Sequence, residues 1–115
     1  MPDPLNLDVQ RERAAKNQSL FREVNERIEE LSRSGQLATF ICECADDACD
    51  ASLPLTLEEY EQIRSRSNSF FVLPGHDLPE VEEITGANDR YVVVAKVGAG
   101  GPVAERFDPR KRAAL

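Results

Sequence analysis

Three cysteines and one histidine carry most of the chemistry available to this 115-residue chain. Cys42, Cys44 and Cys49 follow a C-x-C-x₄-C spacing inside the stretch FICECADDAC, and His76 comes 26 intervening residues after the third cysteine, directly behind Pro74 and Gly75. Three soft sulfurs and one imidazole make a complete tetrahedral donor set for one zinc ion. The chemistry also sets a demand on the backbone. Zinc–sulfur bonds of about 2.3 Å put neighbouring sulfurs about 3.8 Å apart, whereas alternate residues of a flat strand stand about 6.6 Å apart. The chain must therefore bend at Glu43. The small, polar run from Ala45 to Ala48 suits a turn that returns Cys49 to the same point, and Pro74-Gly75 suits one that delivers His76 from a remote strand.

The same residues admit other chemistry. Asp46, Asp47 or Asp50 could replace His76 as fourth ligand, because carboxylates also bind zinc. Thiolates also hold iron–sulfur centres, and a C-x-C pair resolved by Cys49 would be a redox switch. Acidic neighbours oppose that last reading by raising thiol pKa. A catalytic zinc needs an open position and a base. Glu43 could be proposed as the base, but a full Cys₃His set leaves no opening and three thiolates make a poor Lewis acid. Glu43 reads as a solvated acid, and no catalytic residue is assigned.

Composition bounds the rest. The chain is 41% hydrophobic, has no Trp and carries a formal charge of −7, which fits one globular domain. Both ends look poorly able to pack, leaving an ordered core of about 60–80 residues, a size that often needs a metal staple. No Lys or Arg lies between Arg33 and Arg64, while Glu43, Asp46, Asp47, Asp50, Glu58, Glu59 and Glu61 do. A strongly acidic face around the metal is expected, which argues against phosphate backbones as partners. The opening residues have neither the basic start nor the apolar core of a signal peptide. No apolar run approaches the roughly 18 residues that span a bilayer. Three reduced cysteines suit a cytoplasmic location.

Several elements must position the donors. Residues 1–16 read as a flexible or frayed helical N-terminus. Residues 17–31 form an amphipathic helix in which Leu20, Val24, Ile28 and Leu31 recur at helical spacing, widened by Phe21. That stripe packs on the domain or, alternatively, pairs with a partner or a second copy. Glu23 and Arg27 offer an i,i+4 ion pair, and Gly35 marks the stop. Residues 36–41 and 51–55 make a hairpin pinned by the metal, with Pro54 on an edge. Thr56 and Glu59 form a capping box that opens a helix reaching about residue 65 or 67, with Leu57, Tyr60 and Ile63 inward. Residues 70–73 are a short strand. Residues 81–85 and 91–97 suggest a hairpin around 86–89, although Asp77 and Glu80 could instead cap a short helix. Residues 99–115 read as a flexible basic tail containing Arg106, Arg110, Lys111 and Arg112; nucleic-acid binding through it is the weakest reading.

Beyond these local signals, FICEC at 40–44, Cys49, EYEQIR at 59–64, FFVLPGH at 70–76, PEVE at 79–82 and YVVVAK at 91–96 together resemble a family of short uncharacterised proteins from high-GC Gram-positive bacteria. LFREVNERI at 20–28 is similar as well, so the resemblance covers roughly residues 17–97. It implies one domain over 17–98 and brings no activity. The sequence thus predicts an α+β fold: an N-terminal amphipathic helix, a zinc-pinned β-hairpin, one internal helix and a small, mostly antiparallel sheet. The expected role is a non-enzymatic, cytoplasmic protein-interaction or regulatory module with one Zn²⁺.

Overall fold

Local signals set most of the element boundaries. In the computed structural model, which describes residues 4–46 and 48–110, the chain forms α1 (Pro4–Glu30), β1 (Leu37–Ile41), β2 (Ser52–Thr56), α2 (Leu57–Ile63), β3 (Ser69–Val72), β4 (Glu82–Ala87), β5 (Val92–Lys96) and α3 (Gly100–Arg106). The class is α+β. The capping box forms as expected: Thr56 Oγ1 accepts from the Glu59 amide at 3.1 Å, and Glu59 Oε1 accepts from the Thr56 amide at 3.0 Å. The helix it opens is shorter than the sequence suggests, capped at Arg64.

All strand pairs are antiparallel. β1 and β2 form a two-stranded sheet with Thr39 opposite Pro54, and the other three strands lie in the order β3-β5-β4. The ambiguous stretch before β4 is a turn at 79–81 leading into strand, not a capped helix. Leu78 donates its amide to Glu82 Oε2 at 2.9 Å and so fixes the entry into β4. Two apolar clusters result. One joins Cys42 and Cys44 to Phe70, Val72 and Val94; the other stacks Phe40 on Tyr60, with ring centroids 4.5 Å apart, beside Leu55, Ile63 and Phe71.

The first helix differs from expectation in its orientation. Leu20, Val24 and Leu31 are 61%, 49% and 82% exposed, so most of the apolar stripe faces outward. Only Ile28 packs, partly buried, against the second cluster. The inward face consists of Ala14, Ala15, Gln18, Ser19, Arg22 and Asn25. Small residues let α1 approach closely, and polar ones bind it by specific hydrogen bonds. Arg22 donates to the Ser67 and Ala104 carbonyls at 2.5 and 2.7 Å and lies over the Phe70 ring, 4.4 Å from its centroid. Hydrophobic periodicity cannot register an interface of this kind. On the wet side, Arg27 approaches Glu30 at 3.9 Å.

The C-terminal stretch also departs from expectation. Instead of a loose tail, residues 100–106 are helical, with Val103 and Ala104 buried, and α3 packs on α1. Gly100 makes this possible: a Cβ there would come within 3.0 Å of the Arg11 carbonyl oxygen. Pro102 sits in the first turn, where a missing N–H costs little. Arg64, buried, then holds buried Asp108 at 2.5 Å and Glu26 at 2.6 Å. Arg110 reaches Glu26, Glu29 and Glu61 at 2.7–3.0 Å, which binds a cation assigned to the tail into the body of the domain. Lys111 and Arg112 lie outside the described residues.

Asp108→Ala would leave buried Arg64 with Glu26 as its one remaining carboxylate partner among the described residues; losing a hydrogen bond to a charged group should lower folding stability by about 2 kcal/mol, measured by urea denaturation. A loss below about 0.5 kcal/mol, the range of ordinary surface changes, would mean that the C-terminal segment is not docked in solution.

Candidate metal centre

Successive side chains of an extended segment point to opposite sides, and this simple alternation builds half of the site. Just past β1, the Cys42 amide donates to the Ala51 carbonyl at 2.9 Å, continuing the hairpin, while the next amide, of Glu43, donates to the Phe71 carbonyl of β3 at 3.0 Å. The chain thus steps from one sheet to the other between these residues. Glu43 turns inward and is fully buried. Cys42 and Cys44 project the other way, onto the cluster of Phe70 and Val72.

Glu43 is not the solvated acid expected from its composition-rich surroundings. Its Oε2 accepts from Asn25 Nδ2 at 2.8 Å and from the Tyr60 hydroxyl at 3.4 Å, and its Oε1 accepts from the Phe71 amide at 3.2 Å. Its carbonyl accepts from Gln18 Nε2 at 2.7 Å. Asn25 also exchanges two 2.8 Å bonds with the Ile41 backbone. Gln18 in turn joins Glu82 and Lys96, an ion pair with both side chains buried. Burial pushes the Glu43 carboxyl up to about 7, against the pull of Asn25, Arg22 and the Phe71 amide. This carboxylate faces away from the sulfurs and is no candidate for a base acting at them.

The remaining donors arrive on two turns. Asp46 organises the first: its Oδ1 accepts from the Ala48 amide at 3.0 Å and its carbonyl from the Cys49 amide at 3.1 Å. Residues 73–76 form the second, in which the His76 amide donates to the Leu73 carbonyl at 2.9 Å and Gly75 has φ +85°. Pro at the first central position and a positive-φ Gly at the second specify a type II turn. His76 Nδ1 thereby lies 3.7 Å from Cys42 Sγ and 3.6 Å from Cys49 Sγ. The donor atoms of Cys42, Cys44, Cys49 and His76 all fall within 4.8 Å of one another, close enough to bind one metal ion. Neither Asp46 nor Asp50 belongs to this group; Asp47 lies outside the described residues.

Burial raises the pKa of both Cys42 and Cys44, and the neighbouring sulfurs add to the rise at Cys42, while the Leu73 amide, 3.3 Å from Cys42 Sγ, works against it. A metal ion would displace these protons, and the Leu73 N–H would then stabilise sulfur charge from the outer shell. The site is buried on the cysteine side and open at His76.

The surrounding charge is less one-sided than the sequence suggests. Glu43 belongs to the core, Glu59 pairs with Arg90 and Glu61 with Arg110. All four expected donors converge, whereas the residues that hold the C-x-C segment in place, Gln18 and Asn25, gave no signal beyond being polar positions in a helix. Comparison with family models, curated proteins and solved structures finds no match to this chain. No helix among the described residues is long and apolar enough to cross a membrane.

Asn25→Ala should cost about 2–4 kcal/mol in denaturant unfolding, because it strips partners from a buried carboxylate and a buried backbone at once. Tyr60→Phe, which removes one longer contact, should cost about 1 kcal/mol. An Asn25→Ala loss below about 0.5 kcal/mol, the range of ordinary surface changes, would show that α1 does not hold the segment.

Proposed function

We propose that this protein binds one zinc ion through Cys42, Cys44, Cys49 and His76, and that it is a non-enzymatic interaction or regulatory module of the cytoplasm. The observation that carries this reading is the convergence of four donors from three separate segments. The donor chemistry supports zinc in particular. Bonds of about 2.3 Å to sulfur and 2.0 Å to nitrogen in a tetrahedron require a sulfur–nitrogen separation of about 3.5 Å, and His76 Nδ1 lies 3.7 Å from Cys42 Sγ and 3.6 Å from Cys49 Sγ. A complete donor set leaves no position for substrate or water, and Glu43, the acid between the paired cysteines, is turned into the core. Both points support a structural over a catalytic metal. Unpaired, buried Cys42 and Cys44 fit a reducing compartment and count against a thiol switch, whose cysteines need access and an easily formed thiolate.

In this reading the metal does local work. It ties the hairpin exit and the loop bearing Cys49 to the turn after β3, and so fixes the surface formed by residues 44–50 and 73–78. A regulatory module would present that surface, or the outward side of α1, to a protein.

Elemental analysis of protein purified without added metal tests the assignment. About one zinc per chain is expected in the wild type, with His76→Ala losing it at least tenfold more readily to a chelator, since removing even a residue that only supports a metal ligand costs about tenfold or more. Metal-free protein, or iron with a visible absorption band, would move the reading to the rival cysteine redox or iron–sulfur chemistry.

A further inference from the structure

We infer that the outward face of α1 pairs, antiparallel, with α1 of a second copy of this chain, about a two-fold axis between Leu20 and Val24. This does not rest on the metal assignment. The face is a ready-made helix seam. Val9, Leu20, Val24 and, just past the end of α1, Leu31 are each about half exposed or more; from Asn17 through Leu20, Val24, Arg27 and Leu31 the spacing alternates three and four, which keeps one side of a helix turned to a neighbour, and Arg13 and Val9 extend that side at intervals of four.

A matching hole lies beside these knobs. Lys16, Ser19, Leu20 and Glu23 stand at i, i+3, i+4 and i+7, the diamond into which a side chain of a facing helix inserts. Together with Phe107, just past α3, they line a hollow of about 250 Å³. Ser19 is 3% exposed, and its hydroxyl has no hydrogen-bond partner among the described residues.

Charge favours a copy of the chain in that hollow. Placing Leu20 opposite the second copy's Val24 makes residue pairs sum to about 44, which is self-complementary as a two-fold contact must be. In that register the second copy's Val24 enters the hole at 16–23, and its exposed Glu30 lands between exposed Arg13 and Lys16. The symmetry repeats both contacts. Asn17 meets the second copy's Arg27, an amide opposite a guanidinium. A single helix face is a small interface, so association in the micromolar range is expected.

Sedimentation equilibrium over a concentration series, from a few micromolar to about 0.5 mM, tests the pairing. The wild type should pass from monomer to dimer. Val24→Asp should raise the dissociation constant at least about tenfold, with circular dichroism, melting temperature and metal content unchanged because the residue is half exposed. Glu30→Lys should weaken pairing about three- to tenfold through its two symmetric ion pairs, and Lys16→Glu combined with Glu30→Lys should restore it. A wild type that stays monomeric throughout overturns the inference and leaves the face to a different protein. A dimer that the charge reversal fails to rescue overturns the register, and one indifferent to Val24→Asp overturns the surface.

Discussion

The burial of Glu43 is the constraint on which the rest of the molecule depends. An ionisable side chain inside a protein is tolerated only when its polar atoms are paired, and each partner of this one comes from a different element. Asn25 brings α1, Tyr60 brings α2, and the Phe71 amide brings the outer edge of β3. Pinning this one residue therefore fixes how a helix, a hairpin and a three-stranded sheet meet. Because side chains alternate along an extended chain, it also decides where two sulfurs point. The C-E-C tripeptide works as a unit: the acid anchors the backbone and the flanking cysteines face the other two donors.

This arrangement changes what a bound metal would be needed for. A short sequence with loose ends invites the view that zinc must staple the whole fold. The helices at both ends enlarge the body, and α3 returns to α1 through Gly100 and through Arg22's bond to the Ala104 carbonyl. Polar anchors from α1 hold the C-x-C segment independently of the metal ligands. The segments that a bound ion would tie down most are the loop bearing Cys49 and the turn bearing His76, which are less buried than Cys42 and Cys44.

The features legible in the sequence are those fixed by neighbours along the chain. The capping box at Thr56, the type II turn at Pro74-Gly75, the alternating strand around Phe40 and the continuous apolar run around Val94 need only a few adjacent residues to specify them. The donor set was legible because cysteine and histidine are scarce and their chemistry is narrow. What escaped depends on distant partners. Glu43 looks like one more acid until Asn25 and Tyr60 are brought beside it. The stripe of Leu20 and Val24 looks like a core face because periodicity weighs apolarity and ignores an interface made from Gln18, Arg22 and Asn25. Residues 100–106 look like a tail because their two glycines signal flexibility, although one of them is required for close packing against Arg11.

The central claim is that an inward Glu43 presents Cys42 and Cys44 to a single ion completed by Cys49 and His76. X-ray absorption at the zinc edge on the purified protein tests it most directly. Three sulfur scatterers at about 2.3 Å and one imidazole nitrogen at about 2.0 Å are predicted. A first shell of oxygen and nitrogen alone, or one lacking either the third sulfur or the imidazole, would contradict it.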